Sequence, residues 1–160
     1  MDYEFTHKPS YTMATVALEP GEALTAEAGA MVSHTDTIEV ETGTGDSGGL
    51  LSSVKRSVLG DESFFRNRFE AVGGPGEVAI APLKPGDMDV LELDGEGVII
   101  QSGGYVAAGQ EIEITTDVGD LDTLFGGEGL FFLNASGHGP VFIGTYGGLI
   151  EREVAAGESF

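Results

Sequence analysis

The residues able to do chemistry are few and unevenly placed. Four of the seven Lys and Arg residues, Lys55, Arg56, Arg66 and Arg68, fall within one stretch from Leu50 to Phe69, LLSSVKRSVLGDESFFRNRF. A guanidinium recognises a carboxylate or phosphate through two parallel hydrogen bonds, so this cluster is the candidate anion- or partner-binding site, with Arg56 as its leading residue. The plainer reading is internal: Arg56 pairs with Asp61 or Glu62, and an exposed pair of that kind contributes roughly 0–1 kcal/mol.

Other motifs carry less. Gly45-Asp46-Ser47-Gly48-Gly49 copies the nucleophile signature of trypsin-like proteases, but that chemistry needs a His base and a buried Asp held by two β-barrels. His7 and His34 lack that context, and the signature comes too early in a short chain. A tight glycine loop, with Asp46 or Ser47 capping a following helix, is the better account. Gly43-x-Gly45-x-x-Gly48 also fits the dinucleotide fingerprint, which has meaning only inside a βαβ unit. His7, His34 and His138 share no ligand spacing, and carboxylates are too numerous for any pair to stand out as an acid/base dyad. No catalytic, cofactor-binding or metal-binding residue is assigned.

Composition sets the setting. With 27 Asp and Glu against 7 Lys and Arg, the 160-residue chain carries a formal charge of −20, yet 41% of it is hydrophobic. That much apolar residue supports a packed core in a single domain, here taken as 1–160. Scattered acid with little Lys fits a protein kept soluble in concentrated salt, and a salt-accumulating halophile is the expected source. The same charge argues against nucleic acid, whose phosphates demand a broad cationic face, and against direct binding to anionic lipid. Membrane association is expected only through a protein partner. With no cysteine, disulfides and thiolate chemistry are excluded. The first ten residues, MDYEFTHKPS, show no secretory pattern and no apolar run approaches about 18 residues, so a cytoplasmic location is expected. Asn134-Ala135-Ser136 reads as a chance glycosylation sequon within a strand.

The elements that must position these residues read as nearly all β. Strands are predicted at 11–18, 38–41, 77–81, 89–93, 98–101, 111–115, 129–133 and 141–144, with turns at Pro20-Gly21, Lys84-Pro85-Gly86-Asp87, Asp94-Gly95-Glu96-Gly97 and Ser136-Gly137-His138-Gly139-Pro140. The apolar stretch 24–32 has Gly29 at a bulge or close approach. Leu50, Leu51, Val54, Val58 and Leu59 recur at helical spacing before Gly60, predicting one short helix near 50–59. Phe64, Phe65 and Phe69 are candidate core anchors. Pro20-Gly21-Glu22 recurs as Pro85-Gly86-Asp87, which divides the chain into repeats at roughly 10–74, 75–139 and 140–160, the last incomplete. The broken third repeat is expected to mark a truncated or shortened homologue and to leave an apolar edge for a second chain to cover. A homo-oligomer is therefore expected, with a trimer among its possible symmetries.

Several stretches together resemble the mitochondrial-biogenesis AIM type (altered inheritance of mitochondria). They are Glu27-Ala28-Gly29-Ala30-Met31, Lys55-Arg56 with Gly60-Asp61-Glu62-Ser63-Phe64-Phe65, Gly127-Glu128-Gly129-Leu130-Phe131-Phe132, and Tyr146-Gly147-Gly148. The resemblance implies a TRAP-like β-sandwich or double-stranded β-helix with internal pseudo-threefold repeats. It also implies scaffolding rather than catalysis, while RNA binding does not carry over. The expected function is a non-enzymatic scaffold or interaction protein. A small anionic-ligand-binding module is the alternative, and a hydrolytic enzyme comes third.

Overall fold

A computed structural model describes residues 1–43, 66–115 and 132–159. The expected helix near 50–59, Lys55, Arg56, the Gly45–Gly49 loop, Phe64, Phe65 and the segment 127–131 lie outside the described residues. The architecture is β throughout. Eleven strands are seen among the described residues: β1 (Asp2–Thr6), β2 (Met13–Leu18), β3 (Ala23–Glu27), β4 (Met31–His34), β5 (Ile38–Gly43), β6 (Arg66–Ala71), β7 (Gly76–Ile80), β8 (Met88–Gln101), β9 (Tyr105–Gly109), β10 (Ile112–Thr115) and β11 (Phe132–Gly144). A 3-10 turn, Ser102–Gly104, joins β8 to β9.

Two sheets form a curled sandwich. One has the order β1-β2-β7-β4, the other β10-β11-β9-β3-β6-β5, with β8 on the far edge of β11. Alternation in β2 turns Ala14, Val16 and Leu18 inward while the intervening side chains face out. These meet Val78 and Ile80 of β7, Leu24 and Ala26 of β3, and Phe69 and Ala71 of β6 in the first core. A second core gathers Leu93 and Ile100 of β8, Tyr105 and Ala108 of β9, Ile114 of β10, and Leu133, Ala135 and Val141 of β11.

β9 and β11 are the wall between the cores. Neighbouring residues of one strand point to opposite faces: Ala107 and Phe142 enter the first core, Ala108 and Val141 the second. A strand buried on both faces reads as a small or apolar run without alternation, which is why Tyr105–Gly109 gave no strand signal in the sequence.

Two expected turns are instead bends within strands. β8 runs through Asp94–Gly97 and β11 through Ser136–Pro140, and the two pair from Phe132↔Gln101 to Gly144↔Met88 with one register shift between Ser136 and His138. On the other edge of β11 the gap between β9 and β10 falls at the same level. Gly137 has φ 130°, and a Cβ there would run into the Glu111 carbonyl oxygen. Turn-type residues here carry β8 and β11 through a shared irregularity instead of reversing the chain.

Candidate functional site

The described half of the cation cluster sits on β6. Its alternation sends Phe69 and Ala71 into the first core and places Arg66, Arg68 and Glu70 on the opposite face. Register fixes their neighbours: Arg66 lies across from Glu27 on β3, and Arg68 lies between Thr25 on β3 and Glu41 on β5. Directly opposed side chains on one face are about 4.5–5.5 Å apart at Cβ, so both arginines stand among carboxylates.

Each guanidinium has internal partners. Arg68 Nη2 donates to Glu70 Oε2 at 3.1 Å. Arg66 Nη2 approaches the Ile114 carbonyl oxygen at 3.5 Å, a long contact. Burial lowers the Arg66 pKa, while the nearby Tyr105 phenol group acts in the other direction. Tyr105 is fully buried and its hydroxyl donates to the Thr25 carbonyl at 2.9 Å, with burial holding its pKa well above the usual phenol range. Desolvation also raises Glu27, half-buried on the same face. Three perturbed groups therefore converge, but the Tyr105 proton is committed to a backbone carbonyl. The histidines do not join them. His34 Nδ1 lies 2.8 Å from the Thr35 carbonyl, and His138 lies 3.8 Å from Asp94 at the bend of β11.

A second region lies at one end of the sandwich, where the loops 7–12, 82–87 and 145–150 are stitched together. The Thr12 amide donates to the Gly86 carbonyl at 3.1 Å, Asp87 to Gly147 at 2.8 Å, Thr145 to Asp87 at 2.9 Å, and Gly147 to Pro85 at 3.2 Å. Buried Thr12 adds a hydroxyl bond to Asp87 Oδ1 at 2.7 Å. Gly86 is obligatory, because a Cβ would collide with the Thr145 carbonyl oxygen. Tyr11 and Tyr146, within or between these hydrogen-bonded residues, are 72% and 81% exposed, and Leu83 and Ile150, a few residues along the same loops, are 61% and 82% exposed. Lys84 is exposed beside them, and Lys8 sits 4.8 Å over the Phe5 ring and 3.6 Å from Asp89.

The chain matches the family described as Mitochondrial biogenesis AIM24 over residues 3–160. It belongs to that family. An uncharacterized protein of Streptococcus pyogenes serotype M6 is 26% identical over 155 residues, a match covering 93% of this chain and 62% of that protein. The chain thus spans less than two thirds of that relative's length. The crystal structure of another Streptococcus pyogenes protein superposes with a TM-score of 0.71 at 23% identity, covering 91% of this chain and 65% of the other. That likeness establishes the fold. Of the stretches that carried the AIM resemblance, Glu27–Met31 forms the β3–β4 turn, where Leu83 Cδ2 lies 2.8 Å from where a Gly29 Cβ would be. Tyr146-Gly147-Gly148 forms part of the stitched end.

Sequence reasoning missed that end. Its residues are dispersed along the chain, and the available signal was negative: three short loops nearly free of acid in a very acidic protein.

Proposed function

We propose that this chain is a non-enzymatic interaction module that assembles with copies of itself into a scaffold, kept soluble by its acidic surface in a salt-rich cytoplasm. The observation that carries this reading is the set of large apolar side chains held outward on hydrogen-bonded loops at one end of the sandwich. Single exposed apolar residues are ordinary on a protein surface, whereas a group of them on a rigid frame marks a contact site. With this reading we extend to the chain the TRAP-like, three-repeat architecture that its sequence resemblance implies, and expect no nucleic-acid partner. Membranes would be reached through another protein.

Light scattering of the full chain in molar KCl tests the reading. A defined oligomer is expected, and a monomer at all attainable concentrations would overturn it. Anion binding on β6 is the lesser reading, favoured by the adjacent Arg66 and Arg68 but opposed by Glu27, Glu41 and Glu70 on the same face. Calorimetric titration with inorganic phosphate tests it: binding lost in Arg68→Gln would support it, and no heat above dilution would remove it.

A further inference from the structure

The loops of the exposed apolar end are also poor in acid, with Glu151 directly after the third loop and Asp89 3.6 Å from Lys8 as the bordering carboxylates. The loops 7–12, 82–87 and 145–150 are six residues each, and together they hold one carboxylate, Asp87, and two lysines, Lys8 and Lys84. The chain as a whole has 27 carboxylates in 160 residues. Asp87 is turned to internal use, accepting from the Thr12 hydroxyl at 2.7 Å and the Met88 amide at 2.9 Å. Among the described residues, carboxylates are spread over the other faces. Glu39, Glu41 and Glu70 lie on β5 and β6, Glu77 on β7, Glu92, Asp94 and Glu96 on β8, and Glu113 on β10.

We infer that this end is a self-docking surface, where two copies of the chain meet end to end around Tyr11, Leu83, Tyr146 and Ile150. The inference rests on the self-assembly reading above and names its contact. Two copies each carrying −20 repel one another, and pairing through most faces would set unpaired carboxylates against carboxylates as water is excluded. End-to-end pairing sets tyrosine and aliphatic surface against its own kind, with Lys84, the Lys8–Asp89 pair and Glu151 at the rim. An isologous contact needs such a self-complementary patch, and tyrosines on a fixed backbone supply large contact area at low entropic cost. A membrane occupant is disfavoured by the same numbers, because two lysines do not offset the net charge near an anionic surface.

Salt gives the contact a distinguishing sign. An apolar contact between like-charged bodies tightens as salt screens their repulsion, whereas one built on Lys8 and Lys84 pairing with the partner's carboxylates loosens. Sedimentation equilibrium of the full chain at low and molar KCl should show association strengthening with salt. The Tyr11→Asp/Tyr146→Asp double variant should weaken it at least about tenfold. Ile99→Asp, a change at an exposed β8 residue away from these loops, should leave it intact. Because the chain has no cysteine, Tyr146→Cys provides an independent readout: mild oxidation should give a cross-linked dimer, and Ile99→Cys should not. Self-association unchanged in the double variant, or weakened by salt, overturns the end-to-end contact while leaving the self-assembly reading standing. A monomeric parent chain overturns both.

Discussion

Two cation-bearing regions among the described residues, β6 and the stitched end, set their positive charge in different surroundings. On β6, Arg66 and Arg68 come from a conspicuous sequence cluster, yet Glu70 takes one guanidinium and burial against Ile114 constrains the other. At the stitched end, Lys8 and Lys84 come from distant parts of the chain and lie beside exposed tyrosine and leucine. A cluster of cations in sequence is therefore not a cationic surface. In a chain this acidic, the strand pairings supply carboxylates to β6 automatically, whereas loops with almost no acid remain distinct after folding.

The contrast can be broken first at its frame. Gly86→Ala forces a Cβ against the Thr145 carbonyl, so a loss of about 2–4 kcal/mol is expected, read as a lowered urea midpoint together with reduced self-association. Arg66→Ala is expected to cost about 1–3 kcal/mol through lost packing and the contact to Ile114, without altering self-association. If it abolished the oligomer while the fold survived, the roles assigned to the two regions would be exchanged.

Glu27 sharpens the comparison by pH. Its folded pKa is raised by burial, so its contribution is fully present below the ordinary carboxylate pKa and is lost as pH rises through the raised value. Glu27→Gln should therefore melt higher than the parent at neutral pH, by up to a few degrees, with the difference closing in acid. A lower melting temperature at neutral pH would mean that the carboxylate is held chiefly by Arg66. The smallest effect is expected for Arg68→Ala. Its pair with Glu70 is partly exposed, so thermal unfolding should move by less than about 1 kcal/mol, and less still in molar salt.

Much of the framework was legible in the chain. Alternation in β2 and the apolar spacing of β7 mark both strands in the sequence, and Phe69, a core anchor by its apolar character, is fully buried. The β9 strand was not legible, because burial on both faces removes the alternation that marks a strand. Of the candidate site, the sequence offered Arg66 and Arg68 as neighbours, which they are, but not the carboxylates opposite them. Those arrive through register with β3 and β5, a long-range property.

By itself, then, the sequence determined an acidic, cysteine-free, nearly all-β chain with its local alternation and its glycine-rich turn signals, since composition and period-two patterning act over a few residues. Tertiary structure decided the rest. It made Asp94–Gly97 and Ser136–Pro140 bends rather than reversals, because β8 and β11 continue their pairing past both. It also brought the acid-poor loops to one end through backbone hydrogen bonds between residues 58 to 74 apart, which no local pattern encodes.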